Sequence, residues 1–306
     1  MIEYAAAHRL ARRRFDADPS KCYQRHIREV WAALEGRRSP CNDDCKKHCP
    51  HLPKAEREVK KITTKDAAAL VLKYEWLAAD TKNKSPLGRG IETCYGLFLH
   101  GELIGANCFG SMGAQTNPIS GILGGSGLIC GPDYIEKTGY LMRGVCAHYA
   151  PMHAASFFTS ASCKLASKEM GWKIFFAYSD THAASEVGTV YQACNWYYLG
   201  EDLGRTAGGY HSNYVSANGE HRVTSYQLNH DKSRKFLRSL GWTEAETLPM
   251  RVWLKTIAGW HEEKEYGKKK WCWFEGTAEE KTAMRAACRY PLNLPYPQNR
   301  VPKEKQ

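Results

Sequence analysis

Seven residues within thirty positions carry sulfur or imidazole: Cys22, His26, Cys41, Cys45, His48, Cys49 and His51. Zinc takes about four nitrogen or sulfur ligands in tetrahedral geometry, and thiolates with imidazole are its usual set. The stretch is too polar to build a core of its own, which favours a structural metal as its organiser. Cys22 and His26 stand four apart, so on a helix they share a face, and Cys41, Cys45 and Cys49 repeat that spacing. The expected ligands of a structural zinc are Cys22, Cys41, Cys45 and Cys49, with His26 or His51 as substitutes. The spacing is not the common two-residue knuckle, so an iron–sulfur cluster is the alternative. A bland reading, in which several of these are ordinary thiols, stands beside both.

A second constellation lies in the middle of the chain. Arg143 sits in Tyr140-Leu-Met-Arg-Gly-Val-Cys-Ala, and Pro151-Met-His-Ala-Ala-Ser156 follows at the start of an expected helix. A strand feeding a helix whose first turn is small leaves backbone N–H groups open to a phosphate. Ala154 and Ala155 permit close approach, and the Ser156 hydroxyl adds a donor. Read alone, the feature is equally a capped helix packing on a sheet. Asp180 ends the apolar run from Trp172, where an α/β sheet usually binds its ligand. Tyr191 lies in Gly188-Thr-Val-Tyr-Gln-Ala-Cys-Asn-Trp196, and a phenol placed opposite the cradle can protonate a leaving group.

These residues need a frame. Lys65–Asp80 reads as an amphipathic helix with Thr64 as N-cap and Leu70, Tyr74 and Leu77 on one face. Cys94–His100 and Leu103–Phe109 read as a hairpin turned at His100-Gly101-Glu102. A glycine-rich loop runs from Gly110 to Gly131. Tyr140–Ala147 reads as a strand, Met152–Met170 as a helix, Trp172–Tyr178 as a strand, Ser185–Asn195 as a helix and Trp196–Gly200 as a strand. Strands alternating with helices predict an α/β (α+β) fold with a mixed central sheet flanked by helices. The expected organisation is a Cys/His-rich helical module over 1–62, a central domain over 63–245 and a basic aromatic C-terminal extension over 246–306.

The charge is uneven. Over 306 residues it totals +11, with +7 in residues 1–65, +5 in 251–306 and −1 between them. Basic flanks around a neutral centre point to a polyanion held by the ends. The candidate contacts are Arg12, Arg13, Arg14, Arg37, Arg38, Lys268, Lys269 and Lys270, each of which alone is also ordinary solvated surface. No run reads as a membrane span, since Leu103–Pro132 holds eight glycines and Gly144–Cys163 two histidines and a proline. The first residues lack the pattern of a signal peptide, so a cytoplasmic protein is expected, with thiols rather than disulfides.

The order strand, small-residue helix, strand, then a tyrosine-bearing helix entering an aromatic strand resembles the acyl-CoA-binding half of the GNAT acyltransferase fold. Arg143, Ser156, the Tyr178-Ser-Asp180 strand end and the Gly188–Trp196 motif are similar to the Mom family of phage DNA-modification proteins. Lys268-Lys-Lys-Trp-Cys-Trp-Phe-Glu-Gly276 and Tyr290-Pro-Leu-Asn-Leu-Pro-Tyr-Pro297 are similar to that family's basic–aromatic strand and tail. The resemblance covers roughly residues 66–300, and the cysteine-rich start lies outside it.

The resemblance implies a phage-encoded enzyme in a bacterial cytoplasm that modifies the exocyclic amine of adenine in double-stranded DNA with a carbamoylmethyl group, blocking restriction. It implies Arg143, Asp180 and Tyr191 as catalytic residues, and Arg143, Ala154, Ala155, Ser156 and Tyr191 as the donor site. The GNAT pyrophosphate loop is degenerate here (His148-Tyr-Ala-Pro-Met-His-Ala-Ala), so the donor is read as acetyl-CoA or another activated acyl or aminoacyl group. The resemblance also implies a bound iron, for which His100 is the weak candidate. Tyr197, Tyr198, Tyr210 and Tyr214 are candidates to stack on a flipped base, though aromatics so frequent in strands are as often core. Two other readings stand: a GNAT acyltransferase acting on a protein or small amine, and a non-catalytic zinc-containing DNA-binding protein. The oligomeric state is open, a homodimer being one option.

Overall fold

The computed structural model describes residues 4–46, 48–75, 87–88, 90–110, 129–202, 210–218, 221–224, 228, 231–243, 249–266 and 268–298. Leu77 and most of the glycine-rich loop lie outside these residues.

Two helices open the chain. In α1 (Tyr4–Ala17), Ala7, His8, Ala11 and Phe15 are buried. In α2 (Tyr23–Glu35), Tyr23, Ile27, Val30 and Trp31 recur on one face, and Gly36 ends the helix in the left-handed conformation at φ 66°. The segment that follows forms two short 3-10 turns, Asp43–Lys46 and Lys54–Glu56. Strand β1 (Arg57–Ile62) then leads to α3 (Thr64–Tyr74), whose N-cap is Thr63, accepting the Asp66 N–H.

Strands β2 (Thr93–Leu99) and β3 (Glu102–Gly110) form the hairpin. Its turn residues His100 and Gly101 both have positive φ (50° and 80°), as a tight two-residue turn requires. After them come β4 (Thr138–Cys146), α4 (Ala154–Met170), β5 (Ile174–Ser179), the short helices α5 (Thr181–Ala184) and α6 (Thr189–Ala193), and β6 (Tyr197–Asp202).

Further along are β7 (Tyr210–Val215), β8 (Arg222–Thr224), α7 (Asp231–Ser239), α8 (Met250–Thr256), β9 (His261–Tyr266), β10 (Lys268–Phe274) and α9 (Ala278–Ala287). Thr277 and Glu280 close a capping box at the start of α9.

Seven strands build the central sheet in the order β1-β2-β3-β4-β5-β10-β6. The fold is mixed α/β, with a mostly antiparallel sheet flanked by helices. A parallel pair, β4 with β5, is joined by α4 and registers over Thr138↔Ile174, Gly139↔Phe175 and Tyr140↔Phe176. Beyond Tyr140 the two strands share no ladder among the described residues. β5 is apolar on both faces, as an interior strand must be: Phe175 and Ala177 join one core with Trp172 and Trp271, while Ile174 and Phe176 join another with Cys272, Phe274 and Met284.

Residues 1–200 and 269–306 form one compact unit and residues 201–268 a second. The second has its own three-stranded sheet, β8-β7-β9, and its own core around Tyr214, Trp242, Trp253 and Trp260. The segment after residue 246 therefore divides between the units. Its β10 lies inside the central sheet, between β5 and β6. No described helix is long and apolar enough to cross a membrane.

Candidate functional site

Where the parallel pair ends, a cleft of about 170 Å³ opens. Its walls are Gly144–Cys146 of β4, Ala155, Phe158 and Thr159 of α4, Ser179 at the end of β5, and the run Glu186–Tyr191 entering α6. Cys22, Gln24 and Arg28, from the start of α2, line it as well. Arg28 is fixed by its Nη2 donating to the Ala147 carbonyl at 3.0 Å.

The Glu186–Tyr191 wall is held by main-chain geometry. The Asp180 carbonyl accepts the N–H groups of Ala184 (3.2 Å) and Glu186 (3.0 Å), folding the chain back on itself. Ser185 and Gly188 both take positive φ, 50° and 70°. At Gly188 a Cβ would stand 2.3 Å from the Trp271 ring, so only glycine fits. The Trp271 Nε1–H donates to Ser179 Oγ at 3.0 Å, tying β10 to the end of β5. Gln192 Nε2 donates to the carbonyls of Val187 and Pro297, which draws the C-terminal tail onto the same loop.

Tyr191 packs its ring on Trp196 and Trp271, at centroid separations of 5.0 and 5.7 Å. Burial raises its pKa well above the ordinary phenol value, and Glu186, Tyr140 and Glu75 push it the same way. The phenol stays protonated and is a donor throughout the neutral range. Asp180 is buried at the end of β5. Arg143 is half-buried: its Nη1 donates to the Met142 carbonyl at 2.7 Å, while its Nε is buried with no hydrogen-bond partner.

At the start of α4 the small residues are in place, and several of the donors are engaged. Ala154 is buried and Ala155 faces the cleft. The Ser156 hydroxyl donates to the His153 carbonyl at 3.1 Å, and the Ser156 carbonyl accepts the Cys194 thiol at 3.2 Å. The N-cap is His153, in the left-handed conformation (φ 63°), with no side-chain cap. Its Nε2 lies 3.1 Å from the Cys45 carbonyl, and the Met152 N–H donates to Cys41 Sγ at 2.7 Å. The cysteine segment thus covers the end of the helix where a phosphate was expected.

In that segment the sulfurs of Cys41, Cys45 and Cys49 lie within 4.8 Å of one another. Burial works to raise the Cys41 pKa, but the Met152 N–H and hydrogen bonds from Ser39, Cys49 and Cys45 outweigh it, and the net shift is downward. Burial and the Cys41 neighbour push Cys49 up to about 11. The structure does not bring Cys22 or His26 into this group. Cys22 is the N-cap of α2 on the cleft wall, and His26 is buried with its Nε2 2.9 Å from the Asp18 carbonyl. The His51 side chain is exposed, and its main-chain N–H reaches Cys49.

The basic candidates also separate. Arg13 and Arg14 are exposed on α1 and Arg38 is exposed beyond α2. Arg12 lies over the Phe15 and Tyr23 rings, and Arg37 pairs with both Glu102 oxygens at 2.6 Å while covering the Tyr149 ring. Lys269 and Lys270, expected on a surface, are only 7% and 2% exposed. The reason is the interior position of β10, where Lys270 Nζ donates to Tyr290 Oη at 3.0 Å. Lys268, at the start of β10, is half-buried.

Of the aromatic candidates, Tyr198 packs on Trp271, Tyr197 on Phe274, and Tyr214 is in the core of the smaller unit. The side chain of Tyr210 lies outside the described residues. His100 is exposed and faces Glu56 Oε2 at 3.1 Å. Gln24, Arg28 and Glu186 are cleft residues that the sequence reading missed. They reach the cleft by long-range packing, which leaves no local signal.

A family description, the Mom protein family, matches residues 56–252. The matched span includes β4, α4, β5 and the Tyr191 helix. No curated protein matches the sequence. Among solved structures, the chain is similar to the IAA acetyltransferase from Bacillus cereus ATCC 14579. That match has 13% identity and a TM-score of 0.32, and covers 72% of this chain and 99% of the other.

Proposed function

This chain belongs to the Mom protein family, and from that premise we propose that it is a transferase acting on DNA, modifying the exocyclic amine of adenine with a carbamoylmethyl-type group that shields phage DNA from restriction. The observation that carries the reading is the family match itself, because its span contains most of the lining of the cleft at the open end of β4 and β5 and the phenol on its wall.

The exocyclic nitrogen of adenine shares its lone pair with the ring, so it attacks well only as a base removes its proton. We assign that role to Asp180, at the strand end beside the cleft. Tyr191, kept protonated by burial, gives its proton to the leaving group. Arg143, with a buried Nε lacking a partner, holds negative charge on the donor. The target base is stacked in a duplex and must leave the stack to enter a cleft of this size. Exposed Arg13, Arg14 and Arg38 supply phosphate contacts that position the DNA without reading its sequence.

An acyl-CoA donor would place its pyrophosphate on the first turn of α4, where part of the donor set is already taken. The Met152 N–H, the His153 ring and the Ser156 hydroxyl are all engaged within the protein. The donor is read as acetyl-CoA or another activated acyl or aminoacyl group; attack on its acyl carbon gives an amide, so an N-alkyl carbamoylmethyl product requires a further rearrangement after the transfer. Among the described residues the cluster that could hold a metal ion is Cys41, Cys45 and Cys49, and His100, in an exposed pair with Glu56, lies outside it.

Nucleoside mass spectrometry on DNA from cells expressing the protein tests the reading. Wild type yields a deoxyadenosine of increased mass, and Tyr191→Phe, with an unchanged melting curve, lowers its yield by about 10²-fold or more. Unmodified DNA from the wild type overturns the assignment to DNA. A modification that survives both Tyr191→Phe and Asp180→Ala overturns the catalytic roles.

A further inference from the structure

We propose that Cys41, Cys45 and Cys49 bind a divalent metal ion of the zinc class, and that this ion is the clamp holding the first turn of α4. Three sulfurs within 4.8 Å of one another supply three corners of a tetrahedral thiolate site, with its fourth position left to solvent. Two backbone donors already point at these sulfurs: the Met152 N–H at Cys41 and the His51 N–H at Cys49. Such outer bonds orient thiolate ligands and spread their charge.

The surroundings supply the second observation. Among the described residues between 36 and 56, the buried apolar side chains are Cys45, Cys49 and Leu52. That is too little apolar area to fix two 3-10 turns against a sheet, so an ion supplies what the core does not.

The location adds electrostatics. Three thiolates on a divalent cation carry one net negative charge, and the site abuts the positive end of a seventeen-residue helix. The anion at the start of α4 is then the metal–thiolate group itself, in the place a donor phosphate would take. Because Ala155 lines the cleft two residues after His153, the ion fixes one cleft wall without touching substrate.

Elemental analysis of the full-length protein, purified under reducing conditions, is expected to find about one zinc per chain. Cys41→Ser with Cys49→Ser is expected to lower this about tenfold or more, while Cys22→Ser leaves it unchanged. Wild-type protein loaded with cobalt(II) is expected to show intense thiolate-to-metal absorption in the near ultraviolet, which needs no variant to fold. Removal of the ion from wild type is expected to lower Tm by about 5 °C or more. Retention of zinc by the double cysteine variant, or failure of reduced wild type to take up zinc or cobalt, overturns the proposal. Neither result depends on whether DNA is modified.

Discussion

Residues 36–56 and residues 138–179 meet at the start of α4 and are held in opposite ways. The first stretch has two short 3-10 turns, three converging sulfurs and little buried apolar surface. The second is a strand–helix–strand unit whose β5 buries both faces between two cores. One is secured by a few directional polar contacts, the other by close packing that needs no single partner. The cleft lies on the packed side and takes a further wall from the start of α2, which belongs to neither stretch; residues 36–56 bear on it only through the start of α4.

The contrast can be broken from the packed side first. Trp271 is fully buried, packs on Tyr191 and Tyr198 and anchors Ser179. Trp271→Ala is expected to cost about 3–5 kcal/mol in urea unfolding, the range of a large core truncation. Gly188→Ala comes next, at about 2–4 kcal/mol, because it adds a methyl group against that ring at an unfavourable φ. A loss below 1 kcal/mol for either would show that the wall of the cleft is loosely packed.

The packed side is expected to respond to acid through His148. Burial holds the His148 pKa down to about 4, against the pull of Glu35, and Tyr74 Oη sits 2.8 Å from its Nδ1. The unfolded chain takes up this proton near the ordinary imidazole value and the folded chain does not. Stability is therefore full above about pH 6.5 and is lost as pH falls toward the folded value. Between about pH 7 and pH 5 the loss is about 2 kcal/mol. His148→Gln should flatten that slope, and an unchanged slope would assign it to other groups.

The smallest effect is expected at the exposed Arg37–Glu102 pair, where Arg37→Ala costs under about 1 kcal/mol. That variant should also raise the Glu102 pKa, held at about 2 chiefly by its bonds to Arg37, as read by carbon NMR.

Much of the packed side was legible in sequence, because its elements are long and their apolar residues recur with the right period. β4, α4, β5 and the hairpin fall within about two residues of their expected bounds. The Ser185–Asn195 helix shrinks to Thr189–Ala193, since Ser185 and Gly188 take left-handed backbone, and Gly188 does so against Trp271, about eighty residues distant in the chain. The cysteines mislead in a different way. Their four-residue spacing suggests one helix face, yet Cys45 sits in a 3-10 turn while Cys41 and Cys49 flank it, and the sulfurs converge through the turn. Lys268-Lys-Lys reads as solvated charge because nothing local reveals that the strand is interior.

The position of β10 also sets an order of events during synthesis. β6 borders only β10, and β5 gains its second neighbour only from β10, yet all of residues 201–268 must be made first. Until about residue 274 leaves the ribosome, β5 keeps one edge bare and β6 has no place in the sheet. The cleft wall that Trp271 supports is among the last parts of this molecule to form. A nascent chain stalled before that point exposes an apolar strand edge of the kind that recruits chaperones or other unfinished chains.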